Sequence, residues 1–274
     1  MQKTFIMGDI HGDSTPIREI VQKHPTFFSD GQKHFLILLG DAGLNYWCDE
    51  KRDKQLKKEL SDLPFIYFVI RGNHEERPTN CMKQNPSKWQ METFFDNVVL
   101  VEKDFSNIKY AIDSPAIYSI PANEYNLKTL VMGGAYSVDK MLRIQNGAKW
   151  FSDEQMTPEE MTHAKLLIEH EKQLDLILTH TCPSIMQPRE ALIQGKNIQG
   201  LDLAMERFFS SICFDSLYNQ TQFNFKAWLF GHYHIFKDYL PSLFPNFQTP
   251  RFLALDWKYM IDLSSVMTDC ISVF

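Results

Sequence analysis

Residues 4–12 read TFIMGDIHG, a short apolar run followed at once by Gly8, a carboxylate at Asp9 and an imidazole at His11. The same grammar returns as HFLILLGD at 34–41, ending on Asp41, and as FIYFVIRGNH at 65–74, ending on Asn73 and His74. Continuous apolar runs of this length, bounded by glycine, read as strands buried on both faces. Between them, Ser14–Lys23 has helical spacing in Ile17, Ile20 and Val21 and stops before Pro25, and Glu50–Leu60 reads as a polar, Lys-rich helix. Strand, helix, strand, helix, strand predicts a parallel sheet.

Further along, Val98–Glu102, Ala116–Ile120 and Lys128–Met132 are separated by short turn-rich stretches, which predicts antiparallel or mixed pairing. Thr157-Pro158-Glu159-Glu160 reads as a helix start, with Thr157 capping, Pro158 at the first helical position and Glu160 closing a capping box, and the helix is expected to run to about His170. Leu174–Thr179 predicts a strand ending at His180, Asp202–Phe214 a helix, and Ala227–Phe230 a strand ending at Gly231-His232-Tyr233-His234. Arg251–Leu263 predicts closing strands. Five apolar strands thus end in polar clusters. In open α/β sheets ligands bind beyond the carboxyl ends of the strands, so five strand ends can deliver these residues to one place.

Composition narrows the function. The 274 residues carry 28 Lys+Arg against 34 Asp+Glu, a formal charge of −6, with 44% apolar and 23% charged residues. That balance is globular, and it speaks against bulk binding of duplex nucleic acid, which a basic surplus usually drives. No apolar run approaches a membrane span, and Met1 leads directly into a strand pattern without the features of a signal peptide. Five cysteines (Cys48, Cys81, Cys182, Cys213, Cys270) form no CxxC pair, and the expectation is a cytoplasmic protein with reduced thiols. Without repeats, low-complexity tracts or Gly/Ser linkers, residues 1–274 are expected to form a single domain.

The strand-end residues are Asp9, His11, Asp41, Asn73, His74, His180, His232 and His234: carboxylates, imidazoles and one amide, with no thiolate. Mixed oxygen and nitrogen donors suit Mn, Fe, Zn or Ni rather than a cysteine-rich structural zinc. The set exceeds the four positions of a tetrahedral ion. Two ions sharing a bridging carboxylate would use it well, and such pairs are a recurrent device for phosphoester hydrolysis.

Gly8-Asp9-Ile10-His11-Gly12, Gly40-Asp41, Gly72-Asn73-His74-Glu75, the later His180 and Gly231-His232-Tyr233-His234, in this order, resemble the signature of calcineurin-like metallophosphoesterases. The resemblance implies a four-layer α/β/β/α sandwich with mixed sheets. It implies one metal held by Asp9, His11 and His234, a second held by Asn73, His180 and His232, and Asp41 bridging them. His74 would be catalytic, protonating the leaving alkoxide or stabilising the transition-state charge in a general-acid role. The ions implied are two divalent metals, manganese first, with iron, zinc, nickel or magnesium as alternatives. The substrate implied is a phosphomonoester or phosphodiester on a small molecule, nucleotide or phosphoprotein, attacked by hydroxide held between the ions.

Arg71-Gly72-Asn73-His74-Glu75 is also similar to the Ser/Thr phosphoprotein phosphatase branch, which continues its second motif as GDxxDRG. Here Gly40-Asp41-Ala42-Gly43-Leu44-Asn45 has neither that Asp, which would orient the catalytic His, nor that Arg, which would bind phosphate, and Asn45 is out of register for both roles. Arg143, after Gly133-Gly134, is the candidate substitute cation, and residues 138–156 are a candidate lid; 183–200 is a second irregular stretch. A silent interaction scaffold is the alternative from another class, and the presence of every ligand position and of His74 argues against it. His24 and His34 are expected at the surface or at helix ends, His163 and His170 facing water, Cys182 in packing, and Trp150, Phe151, Phe208, Phe209 and Trp228 in the core or a pocket wall.

Overall fold

The computed structural model describes residues 2–29, 31–48, 51–171, 173–188, 191, 200–221, 225–239, 250–268 and 271–274. The first three apolar runs form β1 (Thr4–Met7), β2 (His34–Leu39) and β3 (Phe65–Ile70), paired in parallel with Phe5 beside Leu36 and Leu36 beside Tyr67. Alternate side chains point to opposite faces. Phe5, Met7, Leu36, Leu38, Tyr67 and Val69 pack outward against Ile17 and Ile20 of the helix Thr15–Lys23 and Leu56 and Leu60 of the helix Arg52–Ser61. Ile6, Ile37, Leu39, Phe68 and Ile70 point inward. Both faces are therefore covered, which is why these strands read as unbroken apolar runs rather than alternating ones.

The sheet continues with β6 (Ile108–Ala111), parallel to β3, then antiparallel β5 (Asn97–Glu102) and β4 (Trp89–Phe94); on the other side β13 (Ile261–Asp262) runs antiparallel to β1. A second sheet has the order β11 (Lys237–Tyr239), β12 (Arg251–Ala254), β10 (Ala227–Phe230), β9 (Leu176–Thr179), β8 (Tyr125–Met132) and β7 (Ala116–Ala122), its four central strands parallel and its two edge strands antiparallel. Val131, Leu178, Leu229 and Leu253 of the second sheet meet the inward face of the first in one core. On its outer face, Ile177, Trp228 and Phe252 pack against Ala164 and Ile168 of the helix Pro158–His170 and Phe209 of the helix Gly200–Ser210. The layers run α/β/β/α, as the resemblance implies.

The capping box forms as read. Thr157 Oγ1 accepts from the Glu160 amide at 3.2 Å, and Glu160 Oε2 accepts from the Thr157 amide at 2.8 Å. The middle strands do not share one sheet: β5 joins the first, while β7 and β8 form a hairpin in the second. β6 escapes the sequence reading because Lys109 interrupts its apolar run; its ammonium is paired across the sheet with Glu92. The helix expected over Asp202–Phe214 ends at Ser210, passes through a π turn at Ser211–Asp215 and resumes at Ser216–Thr221. His34 is not at the surface. It is buried, stacked on Phe27 with centroids 5.2 Å apart, and accepts the Lys3 amide on Nδ1 at 3.2 Å. Phe208 is 58% exposed, whereas Phe209 and Trp228 are in the core. Cys270 and most of the stretch 183–200 lie outside the described residues. Among the described residues no helix is long and apolar enough to cross a membrane.

Candidate metal centre

The ends of β1, β2 and β3 in one sheet and of β9 and β10 in the other open onto a common edge. His11, Asp41, His232 and His234 all adopt positive φ (46°, 45°, 70° and 52°), a conformation that costs a non-glycine residue on the order of 1–3 kcal/mol. The fold holds these four in strained turns that direct their side chains inward. Two glycines make the approach possible. A Cβ on Gly72 would overlap Asp41 Oδ1, and one on Gly231 would overlap Asp9 Oδ1, so both carboxylates rest directly against backbone.

The side chains converge in overlapping groups. In one, Asp9 Oδ2 lies 3.4 Å from His234 Nε2 and 4.0 Å from His11 Nε2, and the two imidazole nitrogens are 2.7 Å apart. In another, Asp41 Oδ2 is 3.4 Å from His180 Nε2, and the His180 and His232 rings are 4.9 Å apart. Potential ligand atoms of Asp9, His11 and His234, of Asp41, His180 and His232, and of His11, Asp41 and His74 lie within 4.8 Å of one another in each set. Asp41 belongs to two sets and stands between them. Asn73 joins through Oδ1, 2.9 Å from His180 Nε2.

This donor arrangement fits divalent cations. His180 Nδ1 donates to the Leu39 carbonyl at 2.7 Å, leaving the Nε2 lone pair facing the oxygen of Asn73. The Asn73 amide is oriented in turn, because its Nδ2 donates to Ser137 Oγ at 2.9 Å. Donor atoms at such distances need a proton or a cation between them, and the same groups could hold a metal ion. Burial disfavours protonation of His180, yet Asp41 and Asp9 outweigh it and raise its pKa to about 9, so without a cation Nε2 carries a proton that a bound ion would displace. Asp41 is likewise penalised by burial, but the rings of His74, His180 and His11 hold it well below the usual carboxylate range. Buried His232 is pushed down by desolvation and by His180, so it stays neutral and ligand-competent.

His74 is tied to the centre by its own amide, which donates to Asp41 Oδ1 at 2.7 Å. Its Nδ1 lies 2.6 Å from Arg143 Nη2. A guanidinium only donates, so Nδ1 accepts and the ring proton sits on Nε2. Burial, opposed by Asp41 but assisted by Arg143 and His11, lowers the His74 pKa to about 4. Arg143 therefore reaches the site, on the helix Lys140–Gln145, and Asp139 comes with it: Oδ2 accepts from Arg143 Nε at 2.7 Å and Oδ1 lies 3.8 Å from His74 Nε2. Asn45 lies apart from these groups, accepting from Lys57 Nζ at 2.9 Å.

Three further residues carry no local sequence signal. Asp139 is one. Glu154, buried, accepts the Ser137 amide at 2.9 Å and its hydroxyl at 2.5 Å, and so stands behind Asn73. Glu206 is fully buried; it accepts from Thr181 Oγ1 at 2.9 Å and Tyr233 at 3.1 Å, and its Oε1 is 3.5 Å from His232 Nε2. A carboxylate behind a histidine fixes the ring's tautomer and direction. Of the histidines outside the motifs, His163 and His170 are exposed on their helix, and buried Cys182 has its thiol pushed well up by desolvation.

Two packed mixed sheets with a polar cluster of metal-ligating type at their shared strand ends define an α/β sandwich built around a cation-binding edge. The sequence matches the calcineurin-like phosphoesterase family over residues 3–236, and the chain belongs to that family, whose members are generally phosphoesterase hydrolases. No curated protein matches the sequence. Among solved structures, the chain is similar to TT1561 of Thermus thermophilus (14% identity, TM-score 0.48, covering 100% of this chain and 98% of that one). It is also similar to GAP50, the anchor in the inner membrane complex of Plasmodium (9% identity, TM-score 0.47, covering 93% and 71%).

Proposed function

We propose that this chain is a dinuclear metal-dependent phosphoesterase, a single domain whose segment 138–156 lies over the site as a lid. The observation that carries the reading is the placement of Asp41 in two adjoining ligand groups, Asp41/His180/His232 and His11/Asp41/His74, beside a third, Asp9/His11/His234. Asp9, His11 and His234 would hold one divalent ion, and Asn73, His180 and His232 the other, with Asp41 shared. Divalent ions bound there supply charge against the phosphoryl oxygens and acidify water. Manganese is the first choice of metal.

The chain's own residues perform the remaining tasks. His74, neutral and with its proton on Nε2, donates a hydrogen bond from Nε2 to the departing oxygen and stabilises the charge that develops there. Arg143 fixes the His74 tautomer through Nδ1 and brings a permanent positive charge to the place where phosphate would sit. Asp139 and Arg143 together supply what the second motif lacks, a carboxylate near the histidine and a cation for phosphate, from a different element. The assembly supports phosphomonoester or phosphodiester hydrolysis without the GDxxDRG motif.

The test is hydrolysis of p-nitrophenyl phosphate and bis-p-nitrophenyl phosphate by the folded protein with added Mn²⁺, before and after chelation, alongside metal analysis. Chelator-sensitive release with two ions per chain is expected. No release from either ester by folded, metal-loaded protein would favour a silent scaffold.

A further inference from the structure

Beside the proposed centre lies a pocket of about 240 Å³. His11 and His74 form the wall nearest the centre, and Tyr46 and Trp47 form an aromatic wall. Gly12 and Gly43 line it without side chains, and Arg143 reaches it from the helix Lys140–Gln145. The aromatic pair is edge-to-face, with centroids 4.9 Å apart at 85°. Trp47 is 43% exposed, yet its backbone is held on both sides: its amide donates to Asp53 Oδ1 at 3.0 Å, and its carbonyl accepts from Lys149 Nζ. Arg52, which is not among the pocket's walls, packs over the indole at 4.2 Å. Arg143 lies 5.9 Å from the Tyr46 ring as well as 2.6 Å from His74. An exposed indole anchored in this way, in the same pocket as the histidine that would hydrogen-bond the leaving oxygen, is a fixed aromatic surface on the leaving-group side.

On the phosphoesterase reading above, we propose that this pocket receives the leaving alcohol and that Tyr46 and Trp47 recognise a planar aromatic ring on it, which makes a nucleotide the substrate class. Aromatic side chains bind any base through its π face, with modest demands on hydrogen bonding, and the pocket's ionisable lining, His11, His74 and Arg143, is that of the proposed centre. Its volume is below the roughly 300–1,000 Å³ of pockets that enclose drug-sized ligands. That suits one nucleoside rather than an extended phosphoprotein segment. Arg143, shared between His74 and the Tyr46 ring, would set the distance between phosphate and base.

The experiment compares adenosine 5′-monophosphate with ribose 5-phosphate under Mn²⁺. Both release the same kind of primary alkoxide, so their ratio of kcat/KM reports the base and not the chemistry. The wild-type ratio is expected to be roughly tenfold or more, in line with the worth of one stacked base. Trp47→Ala should bring it toward one, and Trp47→Phe should restore most of it. A wild-type ratio at or below one, or a ratio unmoved by Trp47→Ala, overturns the proposal. Turnover of p-nitrophenyl phosphate with neither sugar phosphate hydrolysed overturns it too and leaves the phosphoesterase reading standing. Equilibrium dialysis of the same two compounds against both variants asks the question without turnover. Preferential, Trp47-dependent retention of the nucleotide by a protein that hydrolyses no ester would sustain the pocket and sink the hydrolase.

Discussion

His74 and Asp41 are joined by one hydrogen bond, from the His74 amide to Asp41 Oδ1 at 2.7 Å, yet the proposed roles separate them. Asp41 serves two ligand groups, so Asp41→Asn removes a charge that both ions would share, and occupancy at both is expected to fall together in metal analysis. His74→Asn keeps the amide that Asp41 accepts from. It is expected to retain metal and to lower turnover by about 10²–10³-fold, the usual worth of a lost hydrogen-bond donor to transition-state charge. Loss of metal in the His74 variant would make that residue a ligand, which its place beside His11 and Asp41 allows geometrically. Asp9, Asp41, Asn73, His180, His232 and His234 are legible in the sequence because each follows an apolar run, most of them beside a glycine, and the sheet delivers strand ends to one edge. His34 departs from its expected surface position for the converse reason: nothing local distinguishes a histidine that opens a strand at the surface from one stacked under a helix.

At the scale of elements, the second layer of the site comes from helices and loops that the strand pattern does not mark. The helix Lys140–Gln145 carries Arg143 to His74. Arg143→Ala frees Nδ1, takes away the charge proposed to meet phosphate and is expected to reduce kcat while leaving metal content intact; an unchanged kcat would make the arginine a surface residue that happens to lie nearby. The helix Gly200–Ser210 carries Glu206 behind His232. Glu206→Gln keeps the shape and removes the charge, and it is expected to weaken metal binding by about 10–100-fold in a titration followed by metal analysis. If affinity is unchanged and only thermal stability drops, Glu206 serves Thr181 and Tyr233 rather than the ligand. Arg143 could be suspected from Gly133-Gly134, which lets the following loop approach the cleft. Asp139, Glu154 and Glu206 could not, since their roles depend on contacts 17 to 83 residues away in the chain.

At the scale of the whole molecule, the site edge is also where the two sheets are fastened together. Glu154 receives Ser137, which follows β8 of the second sheet; Ser137 receives Asn73, which follows β3 of the first; and Arg71, at the end of β3, donates to the Glu154 carbonyl at 2.5 Å. Burial raises the Glu154 carboxyl to about 7 against the lowering effect of its Ser137 hydrogen bonds. Its folded-state pKa thus exceeds the ordinary glutamate value, so the folded protein binds a proton that the unfolded chain releases. The associated stability is fully present below about pH 4 and is lost as pH rises toward and through 7. A shift of this size corresponds to roughly 3 kcal/mol at most across that window. Glu154→Gln removes the ionisation while leaving an oxygen for the Ser137 amide. Urea unfolding of metal-free protein between pH 5 and 8 should therefore show a shallower decline in stability for the variant than for the wild type, with the two curves closest at the acid end. Parallel curves would mean that Glu154 ionises in the folded state at the ordinary value, with water reaching a carboxylate that the packing of both sheets encloses.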